Sequence, residues 1–240
     1  MAWCATPMLQ AVLFDFNGVL VDDEALHLDG FNAALAPLGV AVSTAEYNDR
    51  YLGFDDRGAF GAMLRDRGLA HDDARVAALI AAKSVVYAAA AARSLTVFEG
   101  AAALLRASAA RVPVAIVSGA LRGEIDVALR VMGVEGLPRV IVAADDVAAC
   151  KPDPEGYLQG LARLGALVGG LDPARCVALE DSVAGVEAAL AAGLTAAAVA
   201  HTYPADALRS AGAHAVFGHV RDVSVDALDA AVRAAGMHRR

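Results

Sequence analysis

Five apolar runs, each closed by a polar or charged residue, constrain this chain more than any other feature. Ala11-Val12-Leu13-Phe14 ends at Asp15, and Val112-Pro113-Val114-Ala115-Ile116-Val117 ends at Ser118. Val140-Ile141-Val142-Ala143-Ala144 ends at Asp145-Asp146, and Cys176-Val177-Ala178-Leu179 ends at Glu180-Asp181. A weaker run, Thr195 to Ala200, ends at His201. Helical patterns fall between them, at roughly 122–132, 154–165 and 183–192, the last stopped by Gly193. Strands alternating with helices predict an α/β fold with a doubly wound, Rossmann-like parallel sheet. Ligands of such sheets bind outside the carboxyl ends of the strands, where these polar residues sit.

Residues 24–94 break this rhythm. They hold Ala-rich helical segments and no buried strand, and they separate the first strand from the second. About seventy residues is far more than a crossover connection needs. The expectation is an inserted α-helical cap domain over 24–94, with 1–23 and 95–240 forming the catalytic core.

Composition narrows the function classes. A net charge of −8 argues against non-specific nucleic-acid binding, which needs a basic face. No run of strongly apolar residues is long enough to suggest a membrane span. The segment Met1–Pro7 lacks the basic and apolar regions of a signal peptide. Cys4, Cys150 and Cys176 are too scattered for a disulfide framework or a zinc site. The expectation is a cytoplasmic protein, a monomer or weak dimer, with neither nucleic acid nor membrane as partner.

Four strand-end signals carry chemistry: Asp15, Ser118, Lys151 and the pair Glu180-Asp181. Singly each has a plain structural reading, since Asp opens turns, Ser caps helices and acids suit a helix N-terminus. In this order and with these types they compose a phosphoryl-transfer site. Asp15 would attack phosphorus and carry the phosphoryl group as an acyl phosphate. Lys151 and Mg²⁺, suited by hard oxygen ligands, would neutralise the transferring charge. Ser118 and the backbone N–H of Gly119 would bind phosphate oxygens. Lys83 and Lys151 are the only lysines among 20 basic residues, which marks both as positions where a compact ammonium matters.

Asp15-Phe16-Asn17-Gly18-Val19, Val117-Ser118-Gly119, Cys150-Lys151-Pro152-Asp153-Pro154 and Glu180-Asp181-Ser182-Val183-Ala184-Gly185-Val186 together resemble the four motifs of the haloacid dehalogenase superfamily. The resemblance runs from Ala11 to about Leu228, and is narrowest to the small-capped sugar-phosphate phosphatases and β-phosphoglucomutases. It implies a phosphatase of small phosphorylated metabolites with Asp15 as nucleophile. Ser118 and Lys151 would hold the phosphoryl group, and Glu180 and Asp181 would serve a Mg²⁺ site shared with Asp15 and the backbone carbonyl of Asn17. Lys83-Ser84-Val85-Val86-Tyr87 resembles the substrate loop of the β-phosphoglucomutase type, which puts Lys83 at the far end of the substrate. Arg57 and His27 are further substrate-binding candidates.

Asn17 departs from that pattern. The family residue two after the nucleophile is usually an Asp that moves a proton to the leaving oxygen and then from the attacking water. Asn donates a hydrogen bond but shuttles no proton, and such transfer contributes roughly 10²–10⁴-fold. Asp23, where the relatives usually carry Ser, is a second departure. The expected outcomes are a slow phosphatase aided by Asp22, Asp23, Glu24 or His27, a phosphomutase that profits from slow hydrolysis, or an impaired phosphometabolite-binding protein. Dehalogenases need no metal, so the acidic pair speaks against them. Phosphonoacetaldehyde hydrolases carry their cap lysine much nearer the nucleophile than Lys83.

Overall fold

The computed structural model describes residues 8–238; Met1–Pro7, with Cys4 and the signal-peptide reading, lies outside the described residues. Six parallel strands form one sheet: β1 (Ala11–Phe14), β4 (Val114–Val117), β5 (Val140–Val142), β6 (Cys176–Glu180), β7 (Thr195–Val199) and β8 (Ala215–Phe217). Their spatial order is β5-β4-β1-β6-β7-β8. The chain moves outward from β1 on one side and then returns to its other side, so the sheet's switch point lies at β1 and its two neighbours. β8 is a strand that the sequence pattern did not reveal, because it has only three residues, all half-buried.

The period of two along each strand divides the core into two layers. Val12, Phe14, Val114, Ile116, Val177 and Leu179 face one side, where they meet α5 (Ala101–Ala109), α6 (Arg122–Met132) and α10 (Val225–His238). Ala11, Leu13, Ala115, Val117, Cys176 and Ala178 face the other, against α7 (Glu155–Val168), α8 (Val183–Ala191) and α9 (Ala205–Ser210). Burial on both faces explains why the strands read as unbroken apolar runs.

Between β1 and β4 the chain builds α1 (Glu24–Leu35), α2 (Thr44–Arg50), α3 (Asp56–Asp66) and α4 (Asp73–Ser94). Side-chain caps start three of these helices: Ser43 accepts from Glu46 N, Asp55 from Gly58 N and Asp72 from Arg75 N. The helices share their own apolar cluster, with Phe31, Leu35, Tyr47, Tyr51, Phe60, Met63 and Leu79 among its members. Two short strands, β2 (Val21–Asp22) and β3 (Thr96–Val97), pair antiparallel where the chain enters and leaves this insert. The expectation of no long apolar segment needs correction. By length and composition alone α4 is long and apolar enough to cross a membrane. Alanine supplies much of that apolar character; the helix packs along α1 and carries the buried Lys83 at mid-length.

Candidate active site

The site is built at the carboxyl ends of three adjacent strands, β4, β1 and β6. Asp15 follows β1 directly, and its backbone N–H donates to the carbonyl of Leu179 in β6 (2.9 Å). Ser118 follows β4, with its N–H on Val142 O (3.0 Å). Glu180 is the last residue of β6, and Asp181 comes next. Lys151 arrives from the loop before α7 and donates to Asp15 Oδ1 (2.6 Å) and to Val117 O (3.1 Å); its Nζ also lies 2.7 Å from Glu180 Oε1.

Two glycines make this closeness possible. A Cβ on Gly18, whose φ is +72°, would stand 2.0 Å from Asp181 Oδ2. One on Gly185 would stand 2.0 Å from the Glu180 carboxylate. Neither position admits a side chain without moving a carboxylate of the site.

The electrostatics are those of an under-neutralised acidic cluster. Carboxylate oxygens of Asp15, Glu180 and Asp181 lie within 4.8 Å of one another. Lys151 is the ammonium among them, so the ionised cluster keeps two negative charges in excess. Burial pushes the Asp15 carboxyl up to about 7, Lys151 opposing and Glu180 adding to it. Burial also holds Asp181 well above the usual carboxylate range, reinforced by Asp15 and Glu180. Burial opposes the charge on Lys151, but Asp15 and Glu180 outweigh it and raise its pKa. Hard oxygen donors with this excess charge fit a divalent metal ion, whose charge would favour the ionised forms of Asp15 and Asp181.

Beside the cluster, Ser118 Oγ accepts from Ala120 N (3.1 Å) and donates to Asn17 Oδ1 (3.2 Å). Asn17 Nδ2 donates to both oxygens of Asp23 (2.9 and 3.0 Å), and His27 Nε2 lies 3.3 Å from it. Asp23 is buried and also accepts from the Tyr87 hydroxyl. Its burial would raise its pKa, yet His27, Tyr87 and Asn17 together hold it below the usual range. Burial works against a charge on His27, and Asp23 overrides it to lift the imidazole to about 9.

Asp15, Asn17, Ser118, Gly119, Lys151, Asp181 and His27 all line one cavity of about 400 Å³ between the strand ends and the helical insert. Glu180 lies beneath it, fully buried against Lys151 and the Tyr157 hydroxyl. Two expectations fail. Lys83 does not line the cavity: it is fully buried, with Nζ 2.7 Å from Asp56 Oδ1 and 3.0 Å from Glu124 Oε1. Arg57 is also outside it, exposed on α3 and facing Asp73.

Several supporting residues escaped the sequence reading. Thr202 donates to Asp181, and Tyr157 to Glu180. His201 sets the Gly18 turn, its Nδ1 2.7 Å from Gly18 O while Nε2 accepts from Val220 N. His201 alone gave a signal, as the polar residue that closes the fifth apolar run.

The family model for haloacid dehalogenase-like hydrolases matches residues 9–193. The chain belongs to this family. It is 34% identical over 194 residues to the protein CbbY of Rhodobacter capsulatus, covering 78% of this chain and 83% of that one. It is 32% identical over 212 residues to the validoxylamine A 7'-phosphate phosphatase of Streptomyces hygroscopicus subsp. limoneus, covering 85% and 92%. Among solved structures, a mutant of CbbY from Rhodobacter sphaeroides in complex with xylulose-(1,5)bisphosphate superposes with a TM-score of 0.80 at 28% identity, covering 92% of this chain and 99% of that one. The chain is accordingly a hydrolase of this family, with the Rossmann-like core of its superfamily.

Proposed function

We propose that this protein is a Mg²⁺-dependent phosphatase of small phosphorylated carbohydrates, acting through an aspartyl-phosphate on Asp15. The observation that carries this reading is the meeting of Asp15, Lys151, Ser118 and Asp181 at one cavity, with Glu180 buried beneath them, on three neighbouring strand ends. Relatives that are a validoxylamine A 7'-phosphate phosphatase, a hexitol phosphatase and a phosphorylated carbohydrates phosphatase support phosphate esters as the substrate class.

In the first step Asp15 forms a bond to phosphorus as the bond to the leaving oxygen breaks, and that oxygen takes its proton from solvent water. Lys151 holds Asp15 in place and neutralises transferring oxygens, and Ser118 with the Gly119 N–H receives the others. Asp15, Asp181 and the Asn17 carbonyl, with Glu180 behind them, would hold the Mg²⁺, which would supply further charge neutralisation. In the second step water releases phosphate from Asp15. The amide of Asn17 donates to Asp23 and accepts from Ser118, so it is orienting and carries no proton to exchange. Hydrolysis of phospho-Asp15 is therefore the slow step. Residues 24–94 act as the cap that closes the cavity over the substrate, while the described residues on either side, 8–23 and 95–238, form the core.

The fixed amide at position 17 also favours one second reading, a phosphomutase in which a long-lived phospho-Asp15 returns its group to product. Incubation with a panel of sugar phosphates, with and without Mg²⁺, tests both. Metal-dependent phosphate release supports the phosphatase; isomerised product without release supports the mutase. Metal-dependent binding with neither product would leave a binding protein in their place.

A further inference from the structure

The insert side of the cavity is charged in a way the phosphoryl chemistry does not require. Three carboxylates line it: Glu24, Asp55 and Asp56. Glu24 accepts from the Tyr47 hydroxyl (2.7 Å), while Asp55 caps α3 and accepts from Cys150 Sγ (3.1 Å). Neither pairs with a cation among the described residues. Asp56 is the one carboxylate of the three with a basic partner, and that partner, Lys83, is fully buried behind it and shared with Glu124. Among the described residues the one basic side chain lining the insert wall is His27, and it is held by Asp23. Arg57, the neighbour of Asp56, is turned outward to Asp73.

A second feature points to a ligand body. Phe54 lines the same wall yet leaves 54% of its surface exposed. A large apolar ring open to a cavity is informative where a scattered surface residue is not. Aromatic faces meet the C–H surface of a polyhydroxyl body, and carboxylates accept its hydroxyl protons. The same carboxylates repel a second phosphate or a carboxylate, because like charges brought together in a desolvated cavity oppose binding strongly.

We propose, resting on the phosphatase reading above, that this cavity selects phosphate monoesters whose far end is a neutral or amine-bearing polyhydroxyl body and rejects those with a second anionic group. Selection is by repulsion as much as by attraction. The unpaired Glu24 and Asp55 favour an ammonium on the substrate over a hydroxyl, and a hydroxyl over an anion.

The test uses a matched series: a hexosamine monophosphate, the hexose monophosphate, the corresponding acid phosphate and the hexose bisphosphate. Affinity is measured by calorimetry and phosphate release in parallel, with p-nitrophenyl phosphate as an ester without a far end. Affinity should fall in the order given, with the two ligands whose far end is anionic at least about tenfold weaker than the hexose monophosphate. In the double variant Glu24→Gln, Asp55→Asn, Gln keeps an acceptor for Tyr47 and Asn keeps the helix cap. There the gap should narrow by about tenfold. Equal or tighter binding of the bisphosphate overturns the proposal, as does an unchanged gap in the double variant. Absence of phosphate release from every ester would instead overturn the phosphatase reading, while the order of affinities still decides this one.

Discussion

The chain's two lysines occupy matched settings in different halves of the molecule. Lys151 lies between Asp15 and Glu180 at the sheet, and Lys83 between Asp56 and Glu124 where the insert meets α6. The local electrostatics are alike: one ammonium and two buried carboxylates. Access separates them. The Lys151 side chain keeps 19% of its surface exposed and lines the cavity, whereas that of Lys83 keeps none and is sealed away. The first charge is open to the cavity; the second is spent on joining helices of the insert to the core. A retained lysine is thus evidence of a buried charge, and only its surroundings decide between chemistry and architecture.

Replacing each lysine by Met sharpens this contrast. Lys151→Met should lower kcat/KM for phosphate release by about 10²–10³-fold or more, the usual loss when one preorganised charge partner of a transition state is removed. Lys83→Met leaves Asp56 and Glu124 buried without a counter-charge, and should cost about 3–5 kcal/mol of stability in urea unfolding. Its folded fraction should still release phosphate from p-nitrophenyl phosphate. A Lys83 variant that folds normally but loses turnover would break the comparison.

The pair behind Asn17 gives a smaller effect with a defined sign. Its partner Asp23 raises His27 to about 9, so its contribution is complete below the ordinary histidine value of about 6.5 and is lost as pH climbs through about 9. Asp23 is lowered, so its share is lost only as pH falls below the ordinary carboxylate range. Between pH 6 and pH 10, wild type should lose on the order of 3 kcal/mol of its advantage over His27→Gln. Parallel pH profiles of the two would show that the pair is not ionised.

Asn17→Asp is next. It would set a second carboxylate about where Nδ2 now meets Asp23, at 2.9–3.0 Å, so the two would share a proton and one would titrate near neutrality. Phosphate release should rise about tenfold, below the full proton-transfer gain, and rise further with Asp23→Ser added. Equal rates would mean that another residue already moves the proton. Least affected is Arg57→Ala, which removes an exposed pair with Asp73 and should change stability by less than about 0.5 kcal/mol and leave KM unchanged.

The strand-end half of the site was legible because a parallel strand buried on both faces shows as an apolar run, and the residue that ends it stands at the sheet's binding edge. Asp15, Ser118 and Glu180-Asp181, expected from that local pattern, lie together at those strand ends. Lys83 and Arg57 were misread for the opposite reason. A helical side chain points where the docking of its helix sends it, and neither the turn of α3 nor the burial of α4 against α6 is written in local spacing. Thr202 and Tyr157 support the acidic pair from different elements, and single polar residues in ordinary contexts carry no pattern. Asp56 was invisible as a wall of the cavity until Lys83 was seen behind it.

The central claim is that Asp15 carries the phosphoryl group. Acid quenching of the enzyme during turnover of a hexose monophosphate with Mg²⁺, followed by peptide mass mapping, reads it directly. The account predicts a phosphorylated peptide bearing Asp15, absent in Asp15→Asn and more abundant in wild type than in Asn17→Asp. Phosphate release from wild type with no phosphoenzyme detectable at any quench time, or a label on another residue, would contradict it.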